Sequence, residues 1–128
     1  MKKEICVIDD DKIYQLIIKK VIERTEEFDL MCFYNDAIEA FEEFKNLEKE
    51  LPEIILLDIN MPQMDGWQFL ESLIPCRPNL YKETIIYIVT SSIAHSDRDK
   101  AESYKEVSGF LSKPLSVEKL KEIAIKHR

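Results

Sequence analysis

Glycine is nearly absent from this chain: its 128 residues contain two, Gly66 and Gly109. No Gly/Ser-rich linker, internal repeat or low-complexity tract divides it, so a single domain over residues 1–128 is expected, without an attached output module. Histidine is equally scarce, with His95 and His127 far apart in sequence. Cys6, Cys32 and Cys76 form an odd set without paired ligand spacing, so neither a zinc site nor a Cys-His nucleophile pair is indicated. The cysteines read as reduced packing residues and the histidines as surface residues. Lys and Arg number 18 against 25 Asp and Glu, for a formal net charge of -7. The basic residues are scattered, which argues against direct nucleic-acid binding. No apolar run is long enough to cross a bilayer and no N-terminal stretch resembles a signal peptide, so a cytoplasmic protein with no membrane partner is expected.

What is present is a folding composition, 45% hydrophobic and 34% charged. Five short apolar runs alternate with five helix-like stretches, the rhythm of an α/β domain in which helices cover both faces of a parallel sheet. The expected strands are Glu4–Asp9, Phe28–Tyr34, Glu53–Asp58, Ile85–Thr90 and Ser108–Leu111. Ile13, Leu16, Ile17 and Val21 form an apolar stripe on the first helix, and Ala37, Ala40, Phe41, Phe44 and Leu47 on the second. Both stripes are read as core. Asp36 with Glu39 predicts a capping box, Ser96 and Ser116 predict N-caps for the fourth and fifth helices, and the third helix is expected from near Met64 to just before Pro75. Trp67 and Phe69 on that helix read as packing or partner-facing residues, and the Lys-rich end from Lys119 to Arg128 as a solvated helix face.

The chemistry gathers at strand ends. The first strand runs into Asp9-Asp10-Asp11 and the third into Asp58, and in an α/β sheet the carboxyl ends of the strands share the edge where ligands bind. Such a cluster repels itself unless a cation is present, and oxygen-only ligands favour a hard ion, with Mg²⁺ well suited. The fourth strand ends in Thr90-Ser91-Ser92 and the fifth leads to Lys113-Pro114, offering hydroxyls and an ammonium to phosphoryl oxygens. A carboxylate nucleophile, a divalent metal, a hydroxyl and a lysine together predict phosphoryl transfer, with an acyl phosphate on Asp58 as product. Taken singly, each has a plainer reading: Asp9 to Asp11 as helix caps, Thr90 as a strand residue, Lys113 as a solvated lysine. Their joint spacing favours the functional one.

Five pieces in order, Val7-Ile8-Asp9-Asp10-Asp11, Leu57-Asp58-Ile59-Asn60-Met61-Pro62, Met64-Asp65-Gly66, Val89-Thr90-Ser91 and Gly109-Phe110-Leu111-Ser112-Lys113-Pro114, make the chain resemble the receiver domain of two-component response regulators over essentially its full length. The resemblance implies a flavodoxin-like doubly wound fold, a five-stranded parallel sheet in the order 2-1-3-4-5. It implies a chemotaxis-regulator-like switch and not an enzyme acting on other substrates. Asp58 is then the phosphoacceptor; Asp10, Asp58 and the Asn60 main-chain carbonyl hold Mg²⁺, Asp9 assists, and Asp11 is a bystander at the helix start. Thr90 bonds the phosphoryl group and Lys113 pairs with it. The implied partners are a sensor histidine kinase or phosphotransfer protein, and a downstream protein bound through the face of the fourth helix, fifth strand and fifth helix. The Lys113-Pro114 bond is implied to be cis. The switch aromatic, commonly Tyr, is Phe110 here, able to repack but not to hydrogen-bond through a hydroxyl. Asn60 and Ser92 occupy the positions that tune phosphoryl lifetime in the family.

Two other classes share parts of this pattern. An aspartyl-phosphate phosphatase usually carries a second Asp two positions after its nucleophile as acid/base, and here that position is Asn60. A flavodoxin-like cofactor binder needs hydroxyls and amides in its first loop, where Asp9 to Asp11 would repel a flavin phosphate.

Overall fold

The computed structural model describes residues 3–91 and 95–127. Five parallel strands, β1 (Glu4–Ile8), β2 (Leu30–Tyr34), β3 (Ile54–Leu57), β4 (Ile85–Thr90) and β5 (Val107–Ser112), form one sheet in the order β2-β1-β3-β4-β5. Helices α1 (Lys12–Thr25), α2 (Ala37–Phe44), α3 (Gly66–Cys76), α4 (Leu80–Glu83), α5 (His95–Glu102) and α6 (Val117–Lys126) connect and cover them. The expected α/β class and sheet order are those observed, and each expected strand is present with ends that differ by no more than two residues. The single turn α4 is additional, so the fourth and fifth helices of the sequence reading are α5 and α6.

Alternation along the strands divides the interior into two cores. On β1, Cys6 and Ile8 face a cluster with Ala40 and Phe44 of α2 and Phe69 and Leu73 of α3, while Ile5 and Val7 face a second cluster with Ile18 and Ile22 of α1 and Leu120 and Ile123 of α6. Strands buried on both faces must be apolar throughout, which is why β3 reads Ile-Ile-Leu-Leu.

Several local readings need correction. On α1 the buried residues are Tyr14, Ile18, Ile22 and Thr25. Ile13, Leu16 and Ile17 are 72%, 66% and 51% exposed, and Val21 is half-buried. The helix carries apolar residues on two faces, and the one that meets the sheet is the other one. On α2, Ala37, Ala40 and Phe44 are buried and Phe41 packs at the edge, but the helix ends at Phe44 and leaves Leu47 exposed. Asp36 caps α2 through the Ile38 N–H at 2.8 Å. The capping box closes instead on α3, between Asp65 and Gln68. That helix runs from Gly66 through Pro75 to Cys76, ended by Arg77 N–H bonds to the Leu73 and Ile74 carbonyls. Ser116 caps α6 as expected, whereas α5 already begins at His95, which puts Ser96 inside the helix.

Trp67 and Phe69 are both buried, so packing is their role on α3. The three cysteines are free, Cys6 being fully buried. His127 is not a plain surface residue, because its Nε2 lies 2.7 Å from the Tyr87 hydroxyl. The side chain of His95 and the residues Ser92 and Arg128 lie outside the described residues.

Candidate phosphoryl-transfer site

β1 and β3 lie side by side in the register Ile8 with Leu57, so the residue after each strand emerges at the same rim. The Asp58 N–H donates to the Ile8 carbonyl at 3.0 Å and the Asp9 N–H to the Tyr34 carbonyl at 3.0 Å, extending the ladder to the two aspartates. This is the point where the chain order of the sheet reverses, and it leaves a crevice beyond the strand ends. Carboxylate oxygens of Asp9, Asp10 and Asp58 lie within 4.8 Å of one another there. Asp9 and Asp58 are buried and Asp10 is exposed, so the cluster opens to solvent on one side. Asp11 stands apart as the N-cap of α1, accepting from the Ile13 and Tyr14 N–H groups at 3.0 Å.

Lys113 spans the cluster. Its Nζ lies 2.6 Å from Asp9 Oδ2 and 3.7 Å from Asp58 Oδ1. Its own N–H donates to the Thr90 carbonyl at 2.9 Å, tying the loop after β5 to the end of β4, and the Lys113-Pro114 bond is cis. Thr90 is fully buried at the last position of β4. Burial raises the Asp58 pKa from 3.8 to about 6, helped by Asp9 and Asp10 and opposed by the Lys113 ammonium and the Asn60 backbone N–H. Gly66 permits the close packing of α3 beneath this rim, since a Cβ there would stand 2.5 Å from the Asp58 carbonyl oxygen.

The structure therefore brings Asp9, Asp10, Asp58 and Lys113 together. Asn60 follows on the exposed loop after β3, with its N–H toward the Asp58 carboxylate. Phe110 lies away from the carboxylates, half-buried on β5, with the Arg98 guanidinium carbon 5.8 Å from its ring centroid. An oxygen-only donor set of three clustered carboxylates suits a hard divalent cation, so the side chains present fit Mg²⁺.

The family model described as response regulator receiver domain matches residues 5–125. The chain belongs to that family. Receiver domains accept a phosphoryl group and act as phosphorylation-dependent switches in two-component signalling, and they generally bind Mg²⁺ at an acidic pocket. A two component response regulator from Cytophaga hutchinsonii superposes with a TM-score of 0.86 at 26% identity, covering 98% of this chain and 96% of that one. The CheY of a CheX-CheY-BeF3-Mg²⁺ complex from Borrelia burgdorferi shares the fold, with a TM-score of 0.77 at 21% identity over 97% of this chain and 89% of that one. A protein-glutamate methylesterase/protein-glutamine glutaminase from Agrobacterium fabrum is 29% identical over 83% of this chain. The receiver spans 28% of that relative's length.

Two residues at the rim escaped the sequence reading. Gln15 Nε2 donates to the Asp9 carbonyl at 2.8 Å and to the Tyr34 carbonyl at 3.0 Å, holding the ends of β1 and β2. Tyr14 lies under Lys113, with Nζ 4.3 Å from its ring centroid. Both follow the Asp11 cap within one turn of helix, which is the local signal for them, and neither belongs to the Ile13, Leu16, Ile17 and Val21 stripe.

Proposed function

We propose that this receiver domain takes a phosphoryl group on Asp58 from a phosphohistidine of a sensor histidine kinase or phosphotransfer protein. The observation that carries the reading is the convergence of Asp9, Asp10 and Asp58 within 4.8 Å, bridged by the Lys113 ammonium. Asp10 and Asp58, with the Asn60 main-chain carbonyl, would hold Mg²⁺, and Asp9 would add charge to the pocket. When bound, the metal offsets the repulsion between the carboxylates and the incoming phosphoryl oxygens.

An Asp58 carboxylate oxygen attacks phosphorus, the phosphorus–nitrogen bond to the donor imidazole breaks, and the imidazole leaves with the bonding pair. Lys113 then pairs with a phosphoryl oxygen and the Thr90 hydroxyl donates to another. The approach of Thr90 frees space for Phe110 to repack, which alters the face of α5, β5 and α6 and its binding of a downstream protein. A groove of about 350 Å³ lined by Arg98, Ala101, Val107 and Phe110 lies on that face. The donor has its own candidate surface in the exposed Ile13, Leu16 and Ile17 of α1. That helix starts at the Asp11 cap beside the acidic rim, where a partner carrying phosphohistidine must reach Asp58. No described helix is long and apolar enough to cross a membrane.

The phosphatase alternative is disfavoured because the Asn60 amide cannot act as the second acid/base. Flavin phosphate would meet three carboxylates. The test is incubation with Mg²⁺ and a small acyl-phosphate donor, followed by intact-mass comparison of wild type and Asp58→Asn. One phosphoryl group gained by the wild type alone is expected; equal gain in the variant would overturn Asp58 as acceptor.

A further inference from the structure

Tyr14 is nine-tenths buried, yet its hydroxyl has no hydrogen-bond partner, the one buried side-chain oxygen or nitrogen so placed among the described residues. The hydroxyl therefore holds nothing in place, and what the residue contacts it contacts through its ring. The Asp11 cap fixes the Tyr14 N–H at 3.0 Å and sets the residue in the first turn of α1. Its side chain packs into the core formed with Val7, Leu56, Val89 and Leu115. Above it lies Lys113, two residues before Leu115. The Lys113 ammonium that touches its ring also touches Asp9, which puts the ring beneath the acidic pocket; burial, and then the charges of Asp9 and Asp58, push the Tyr14 pKa up.

The Lys113 ammonium therefore has three neighbours: Asp9 Oδ2 at 2.6 Å, Asp58 Oδ1 at 3.7 Å and the Tyr14 ring at 4.3 Å from its centroid. The first is an ion pair at hydrogen-bond distance and the second a longer ion pair. The third is an attraction to the face of a π system, which asks only that the ammonium stay over the ring and not that it point at one acceptor atom. A lysine has a flexible four-carbon stem whose ammonium spreads over many positions unless something holds it. A ring beneath it restricts that spread while leaving it free to move across the ring face.

We propose that Tyr14 is a positioning residue for phosphoryl acceptance: its ring seats the Lys113 ammonium between Asp9 and Asp58 and retains it while it exchanges Asp9 for a phosphoryl oxygen. This rests on Asp58 being the acceptor. The role belongs to the ring, so Tyr14→Phe preserves it and Tyr14→Leu, which keeps an apolar side chain in the core, removes it.

Two readouts on the full chain test the proposal. By NMR, the Lys113 ε-methylene protons are expected upfield of ordinary lysine values in wild type and Tyr14→Phe, and at ordinary values in Tyr14→Leu. With Mg²⁺ and a small acyl-phosphate donor, Tyr14→Phe should label at the wild-type rate and Tyr14→Leu roughly 2- to 30-fold more slowly, the span of a cation–π contact from exposed to desolvated. An unshifted Lys113 signal in the wild type overturns the seat, and needs no variant to fold. Equal slowing of Tyr14→Phe and Tyr14→Leu overturns the assignment to the ring, and an unslowed Tyr14→Leu overturns the role in acceptance. A wild type that never labels defeats the Asp58 reading and the role in acceptance, while a shifted Lys113 signal would still establish the seat.

Discussion

Replacing Asp58 by Asn should stabilise the metal-free protein at neutral pH while abolishing its chemistry. Asp58 is 6% exposed, and burial first, then Asp9 and Asp10, lift its pKa from 3.8 to about 6 against the opposing Lys113 and Asn60 contacts. A carboxyl whose folded pKa exceeds its unfolded value binds its proton more tightly in the folded state. Its contribution is therefore most favourable below the unfolded pKa and is lost as pH rises through the folded one. The shift from 3.8 to about 6 corresponds to on the order of 3 kcal/mol lost between those limits. Asn carries no charge to desolvate but gives up the attraction to Lys113 and remains a buried polar group, which reduces the expected gain to about 1–3 kcal/mol. Urea unfolding of both proteins in chelator measures it. The variant's advantage should be small at about pH 4 and reach its plateau above about pH 7, following the titration. Added Mg²⁺ should stabilise the wild type and not the variant, narrowing the difference. An advantage independent of pH, or a variant less stable than wild type at neutral pH, would refute the assignment of a burial and repulsion cost to this carboxylate.

Gly66→Ala should cost about 1–3 kcal/mol by overpacking and slow acyl-phosphate labelling, because its Cβ would sit 2.5 Å from the Asp58 carbonyl oxygen, which belongs to backbone and cannot rotate away. Urea unfolding and labelling rate check the two halves. Arg77→Met should lose about 2–4 kcal/mol in urea unfolding, since the buried guanidinium donates to the Phe44, Asn46 and Lys49 carbonyls at 2.9, 2.6 and 2.6 Å, which would lose their donor, whereas its partner Glu83 is exposed and stays hydrated. Ile13→Ser combined with Leu16→Ser should leave stability within about 0.5 kcal/mol and small-donor labelling unchanged. Transfer from a phosphorylated histidine kinase or phosphotransfer protein should fall on the order of tenfold. Equal transfer rates would remove α1 from the donor surface.

The strands and their aspartates were legible because the signals are local. Unbroken apolar runs such as Ile54 to Leu57 demand burial on both faces, and a charged residue directly after such a run has to lie at the strand's end. The Asp36 and Ser116 caps follow from the same kind of local hydrogen bonding. Helix ends were less legible. Pro75 reads as a stop, but in the last turn its missing N–H removes one bond, and the Arg77 N–H still closes the helix on the Leu73 and Ile74 carbonyls.

Sequence by itself determined the α/β class, the parallel sheet, and a rim of carboxylates with a lysine and a threonine opposite, because each depends on residue type and chain order. Tertiary structure alone decided which side of α1 is buried. Ile13, Leu16 and Ile17 have the same helical spacing a core stripe would have, and nothing local distinguishes them from Tyr14, Ile18 and Ile22. The packing of α1 on the sheet beside α6 made that choice, and with it put Tyr14 under Lys113 and left Ile13, Leu16 and Ile17 exposed on the helix that starts at the Asp11 cap.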